Sequence, residues 1–298
     1  MKIYLDTWVF QKFFKTGLSE QEILFLDSIF HGNKHQIVLS ATHLFELLAG
    51  QDKQRIMKTA ILLDAIANKI WIKSNYLLEI MEIKLAYNIF RNWPPLSLAP
   101  FSTSPIELLE PNEGTLELLL NYRNKSISDL IAISWDPIAD KGSADNLNSF
   151  ISTWGPKNTE IAQKLTKETW PIEIKKRLKE MLEYKIIHHR LVPIEESGIE
   201  NFINFLIDNP NLIMSFYFPF HLEHFLLKNS SSFKSSHIGD LSACSTIPYV
   251  DQIVLDGRMC RLAKQAISSM TGLKEFKLRI EPKLNESVNE LMYKMSSM

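Results

Sequence analysis

Short apolar runs with polar flanks recur near both ends of the chain, at KIYL (2–5), QIVL (36–39), KIWI (69–72) and QIVL (252–255). Continuous apolar runs of this length are typical of strands that are covered on both faces in a parallel sheet. Helical patterns separate the first three runs, and EFKLRI (275–280) predicts a final strand. This alternation of strands and helices predicts a doubly wound α/β fold.

The middle of the chain has a different pattern. A helix is predicted at 76–90, a proline-rich loop follows, and no strand is predicted before the Ser-rich stretch at 229–236. Apolar residues at helical spacing predict further helices at 115–138, 158–189 and 199–228. The sequence therefore predicts a discontinuous α/β domain, residues 1–90 and 232–290, interrupted by an all-helical insertion at 91–231.

Composition limits the class of protein. Apolar residues make up 45% of the 298 positions and charged residues 22%, which is typical of a folded globular chain. Asp6 interrupts the apolar run that a signal peptide needs, and no run reaches the length of a membrane span. Cys244 and Cys260 do not form a disulfide scaffold, so we expect free thiols, a cytoplasmic location and no membrane contact.

Four carboxylates follow the strand pattern. Asp6 comes directly after KIYL and Asp256 directly after the second QIVL, while Glu46 and Asp240 lie on predicted helices next to strand ends. In open parallel sheets, ligands bind beyond the carboxyl ends of the strands. Because converging carboxylates repel one another, we expect divalent cations to join them, and oxygen ligands select Mg²⁺ or Mn²⁺. The net charge of −1 argues against tight nonspecific binding of duplex nucleic acid, but it is compatible with an acidic catalytic site.

Each acid also has a simpler interpretation. Asp is a favoured helix N-cap, which would explain Asp6, Asp240 and Asp256 one at a time, and Glu46 alone would be an ordinary helix-surface residue. Asp251 is a further candidate acid near the last apolar strand. The joint placement of the four acids at strand ends and helix starts favours a common site.

Both ends of the chain resemble the PIN-domain nucleases. The similar segments are KIYLDTWVF with Asp6, SATHLFELLAG with Glu46, and GDLSACSTIPYVDQIVLDGRMCRLA with Asp240 and Asp256. The resemblance implies a PIN-like α/β/α sandwich with a central, mostly parallel sheet. It also implies a Mg²⁺- or Mn²⁺-dependent endoribonuclease, of the group that includes toxins of toxin–antitoxin pairs, in which these four acids are catalytic and bind the metal.

The resemblance extends to substrate and partners. Thr7 takes the place of the family's hydroxyl beside the first acid, whereas Val254 stands where a hydroxyl usually precedes the fourth acid. A nucleic-acid substrate is implied, RNA favoured over DNA, together with an antitoxin or other regulatory protein and a homo-oligomer as further expectations. Arg258, Arg261 and Lys264 are spaced by three on a predicted helix, where they would contact the substrate backbone or remain solvated. A DNA-directed nuclease and a catalytically idle scaffold stay open as alternatives.

Overall fold

The protein folds around a six-stranded sheet. The structure, a computed structural model, describes residues 1–14, 17–48, 52–105, 125–134, 149, 152, 156–166, 168–193, 195–229, 236–270 and 274–297. Its strands are β1 Lys2–Leu5, β2 Gln36–Leu39, β3 Lys69–Ile72, β4 Phe101–Ser102, β5 Gln252–Val254 and β6 Leu284–Asn285. They lie in the order β4-β3-β2-β1-β5-β6, and every neighbouring pair is parallel except β3–β4. The predicted α/β class with a mostly parallel sheet is confirmed.

Helices separate these strands along the chain and follow the last of them. They are α1 Thr7–Phe13, α2 Glu20–His31, α3 Ala41–Leu48, α4 Lys53–Ala65, α5 Asn75–Phe90, α6 Ile127–Ser134, α7 Thr169–His188, α8 Glu196–Asp208, α9 Met214–Asn229, α10 Ser236–Cys244, α11 Gly257–Ser269, α12 Lys274–Ile280 and α13 Val288–Ser296. Residues 156–164 are also helical. None of the described helices has the length and apolar character needed to span a membrane.

The sheet is buried on both faces because successive strand residues point in opposite directions. Ile3 and Leu5 of β1 belong to one hydrophobic core, which α1 to α4, α6 and α13 help to form. Tyr4 belongs to the core on the opposite face. The continuous apolar runs in the sequence therefore reflect two covered faces, and the sheet lies between two helical layers.

The helices between residues 91 and 231 share a core with the sheet. Leu182 of α7, Phe202 of α8 and Leu222 of α9 are fully buried in the same cluster as Tyr4 and Val38. On the other face α13, which extends past residue 290, packs against α2. The helices α7, α8 and α9 thus form part of one layer of the sandwich, whereas α6 belongs to the core on the other face.

The predicted strand at 275–280 is wrong. These residues lie in α12, where Phe276 and Ile280 are fully buried and Leu278 between them is 65% exposed. Burial at positions four residues apart is the pattern of a helix, whereas a strand would bury alternate residues. The last strand is β6, which begins four residues after α12 ends.

The predicted all-helical character of 91–231 is also wrong in detail. The short strand β4 lies in this segment and pairs antiparallel with β3. The helix predicted at 199–228 is two helices separated by a turn at Pro210–Leu212. The residue before a proline is disfavoured in the helical region, and Asn209 leaves it with φ −125° and ψ 58°. Much of the helix predicted at 115–138, and residues 230–235 of the Ser-rich stretch, lie outside the described residues.

We predict that Leu182→Ala lowers the free energy of unfolding by about 2–5 kcal/mol, because it leaves a cavity in the core that α7 shares with the sheet. Urea unfolding followed by circular dichroism should show one cooperative transition, shifted as a whole. Two transitions of which only one shifts would contradict the shared core and favour a separately folding insertion.

Candidate metal centre

The acids that follow β1 and β5 lie at the same edge of the sheet. The two strands are parallel neighbours, with Leu5 in register with Val254. The backbone N–H of Asp6 donates to the Val254 carbonyl over 3.0 Å, which continues the pairing to the first acid. The order of the strands reverses between β1 and β5, and such a reversal leaves a crevice at the carboxyl ends. Asp6 and Asp256 both flank this crevice.

Asp240 completes a group of three carboxylates. One carboxylate oxygen from each of Asp6, Asp240 and Asp256 lies within 4.8 Å of the other two, and all three residues are partly buried. Asp240 reaches the group from α10, which begins at Ser236, so the prediction that Asp240 opens this helix is wrong. Its position in the second turn carries its side chain to the crevice from beside the sheet.

Glu46 is the fourth acid of the crevice. A Cβ atom built on Gly239 would lie 2.8 Å from Glu46 Oε1, so the Glu46 carboxylate occupies space next to the backbone that carries Asp240. The Thr7 side chain, directly after Asp6, hydrogen-bonds with this carboxylate. Residues from β1, α3, α10 and the end of β5 therefore meet at one place.

The interpretation of the acids as helix caps holds for one of the three aspartates. Asp256 Oδ1 accepts hydrogen bonds from the backbone N–H groups of Arg258, over 2.8 Å, and Met259, over 3.1 Å. Among the described residues, the Asp6 side chain accepts no capping bond from α1, and Asp240 lies inside its helix. Capping therefore does not explain the convergence of the three side chains.

The crowding of carboxylates favours their protonated forms. Burial raises the pKa of Asp6 to about 8, and the charges of Glu46, Asp240 and Asp256 act in the same direction. Burial likewise raises the pKa of Asp240 to about 7, with Asp256 and Glu46 contributing and Arg258 opposing. Burial raises the pKa of Glu46, and its hydrogen bond with Thr7 acts in the opposite direction. Without a compensating cation, the group is electrostatically strained.

The donor set suits a hard divalent cation. All four acids offer oxygen atoms, the ligands that Mg²⁺ and Mn²⁺ prefer. Oxygens that share one Mg²⁺ ion lie about 3.0 to 4.2 Å apart, because each bond is about 2.1 Å long and the octahedral angles are 90° or 180°. The oxygens of the three aspartates lie within 4.8 Å of one another, so the side chains would move closer together to bind one ion.

The residues predicted to contact substrate lie in different surroundings. Thr7 is buried against Glu46, whereas Arg258 is exposed and close enough to Asp240 to lower its pKa. Arg261 forms an ion pair with Glu286, 3.3 Å between Nη1 and Oε2, and Lys264 pairs with Glu290 over 3.4 Å. Of the three predicted substrate-binding cations, Arg258 is thus the one that lies beside the acids.

Asp251, the further candidate acid, belongs to the opposite edge of the sheet. Its Oδ2 accepts a hydrogen bond from the Lys2 backbone N–H over 2.7 Å, and its own N–H donates to the Lys2 carbonyl over 2.9 Å. Lys2 begins β1, whereas Asp6 follows its end. The proposal of Asp251 as a fifth acid of the site is therefore wrong.

Two features of the site were not predicted. Gly239 leaves the space that Glu46 Oε1 occupies, and the hydroxyl groups of Thr42 and Ser242, 2.8 Å apart, join α3 to α10. The signals in the sequence were the glycine directly before Asp240 and a hydroxyl residue one turn before Glu46. Neither signal indicates its partner, because the two helices are separated by almost 200 residues.

We predict that Gly239→Ala separates stability from metal binding. Alanine is favoured over glycine inside a helix by roughly 0.5–1 kcal/mol, so the unfolding free energy should hold or rise. The added methyl group should displace the Glu46 carboxylate and weaken Mn²⁺ binding, measured by calorimetric titration. In an Glu46→Ala background the same substitution should have no further effect. Equal weakening in both backgrounds would contradict this contact.

We also predict that the metal-free protein loses stability as the pH rises from about 4 to about 8. The folded protein retains protons on Asp6 and Asp240 that the unfolded chain releases, so folding is favoured below the unfolded pKa values and this contribution is lost above the folded ones. Urea unfolding in a chelator should show a shallower pH dependence of the unfolding free energy for Asp6→Asn than for the wild type. Parallel profiles for wild type and Asp6→Asn would contradict the assignment.

Comparison with known proteins gives no family assignment. No family model matches the chain, no curated protein matches it, and no solved structure matches it.

Proposed function

We propose that the chain is a divalent-metal-dependent nuclease whose site is formed by Asp6, Glu46, Asp240 and Asp256. The observation that carries the proposal is the convergence of three aspartate carboxylates within 4.8 Å at one edge of the sheet, from three separate parts of the chain. Repulsion makes this arrangement costly unless a cation binds there. A site that has this cost and these ligands is best explained by metal-dependent chemistry.

The residues of the cluster have separate tasks in this proposal. Asp6, Asp240 and Asp256 hold Mg²⁺ or Mn²⁺, and Thr7 orients the Glu46 carboxylate toward the same crevice. When bound, the ion supplies Lewis-acid activation of the phosphodiester and of the attacking water. The cap bonds to Asp256 Oδ1 restrict the rotation of this carboxylate, which reduces the entropy lost on binding.

Arg258 is the residue best placed to hold the substrate backbone. It is exposed at the rim of the cluster, on the first turn of α11, and its charge reaches Asp240. A guanidinium group in this position can pair with a phosphate while the acids hold the cation. Arg261 and Lys264 already pair with glutamates of the C-terminal segment, so we assign them a smaller part in binding.

RNA is the favoured substrate on the strength of the motif resemblance, and DNA is the alternative. The decisive experiment incubates the purified protein with end-labelled single-stranded RNA and with DNA of the same sequence, in Mn²⁺, in Mg²⁺ and in chelator. We expect cleavage of RNA in the presence of either ion and none in chelator.

We predict that Asp6→Asn and Asp240→Asn each reduce this cleavage by roughly 100-fold or more, the usual loss when a group that stabilises transition-state charge is removed. Asp251→Asn is the matched control, because it makes the same chemical change at the opposite edge of the sheet and should keep full activity. Circular dichroism should show that all three variants are folded.

Other outcomes would change the proposal in defined ways. Metal-dependent cleavage of DNA but not of RNA would change the proposed substrate to DNA, and the assignment of the four acids would stand. Undiminished cleavage by both variants at the crevice would refute the assignment of the acids. A wild-type protein that neither cleaves nor binds Mn²⁺ would instead favour an interaction scaffold.

A further inference from the structure

His43 is a buried histidine with a defined hydrogen bond on each ring nitrogen. Nδ1 lies 3.0 Å from the Ser40 backbone nitrogen and Nε2 lies 2.7 Å from the Leu5 carbonyl oxygen. A backbone N–H only donates and a carbonyl only accepts, so Nδ1 is the acceptor and Nε2 carries the proton. The ring is fully buried and holds this neutral tautomer.

The two bonds connect the chain segments that carry two of the acids. Leu5 directly precedes Asp6, and His43 lies three residues before Glu46 on α3, which places both side chains on neighbouring positions of the helix surface. The ring of His43 therefore joins the end of β1 to the helix that carries Glu46.

Neighbouring groups hold the imidazole ring in place. The Tyr4 hydroxyl lies 3.1 Å from Ser40 Oγ, and this Oγ lies 3.1 Å from His43 Nδ1. The ring also packs against Tyr4, with centroids 4.9 Å apart, and against Phe10 at 5.7 Å. The position of the imidazole ring is thus fixed by polar and aromatic contacts.

We propose that His43 is a positioning residue of the acid cluster, which sets the separation of the Glu46 and Asp6 carboxylates and thereby the affinity for a divalent cation. The inference rests on the proposed metal-dependent function of the same site. Hydrogen bonds are directional, so the ring fixes the position of α3 relative to the end of β1. Apolar packing alone would define this position less precisely. A metal site needs its ligand atoms held within about 0.5 Å of the positions that they take when the ion is bound.

Three variants separate this role from a purely structural one. His43→Asn places an amide where it can still accept from the Ser40 N–H but cannot reach the Leu5 carbonyl, whereas His43→Gln can reach this carbonyl and so retains the bond to β1. Leu182→Ala is the control. It weakens the hydrophobic core at a residue that takes no part in the hydrogen bonds of His43. For each protein we would measure the unfolding free energy in urea and the Kd for Mn²⁺ by calorimetric titration.

We expect His43→Asn to raise the Kd for Mn²⁺ by about 10-fold or more, the usual effect of losing a group that orients metal ligands. His43→Gln should lie closer to wild type, and Leu182→Ala should bind with the wild-type Kd at temperatures where it is folded. If His43→Asn does not fold, His43→Gln decides instead: it keeps the Leu5 bond but loses the bond to Ser40, so its Kd should rise by a smaller factor while Leu182→Ala keeps the wild-type Kd.

Two results would overturn the inference. Wild-type Kd values in the folded His43 variants, with a loss of stability alone, would make His43 an ordinary core residue while the proposed function stands. A wild-type protein that shows no Mn²⁺ binding would remove both this inference and the proposed function.

Discussion

Repulsion between carboxylates at one edge of the sheet is the constraint on which the rest of the site depends. A pair of like charges about 4 Å apart repels by about 1 kcal/mol in water and by about 4 kcal/mol at the intermediate dielectric of a protein surface. Here three aspartates lie within 4.8 Å, and burial and mutual repulsion raise the pKa of Asp6 to about 8. The parallel pairing of β1 with β5 and the packing of α3 and α10 are the features that hold these groups together against this repulsion.

The strands of the fold could be predicted because burial on both faces leaves a direct trace in the sequence. Four apolar runs gave β1, β2, β3 and β5 to within one residue. EFKLRI could not be assigned in this way, since its alternation of apolar and charged residues fits a strand, and only the exposure of Leu278 reveals a helix. The two-residue strand β4 leaves no periodic pattern, because it spans only a single repeat of the alternation.

The acids of the site could be chosen from the sequence because parallel strands align their carboxyl ends. The contacts that support these acids could not be predicted from the sequence. Gly239 makes room for Glu46 and Thr42 pairs with Ser242, and both contacts join helices from opposite ends of the chain. The regular spacing of Arg258, Arg261 and Lys264 suggested a common role, yet the last two face glutamates of the C-terminal segment. Local spacing indicates which residues share a helix face, whereas only the tertiary fold determines what that face meets.

We propose that Asp6, Asp240 and Asp256 form a cation site with Glu46 beside it. The most direct test is a crystal structure of the wild-type protein in Mn²⁺, with the metal located by its anomalous scattering. We expect an anomalous peak between the three aspartates, at roughly 2.1 Å from their carboxylate oxygens, the bond length of a hard octahedral cation. A crystal at saturating Mn²⁺ that shows no anomalous peak at this position would contradict the cation site. A structure in which the three side chains point away from one another would contradict it as well.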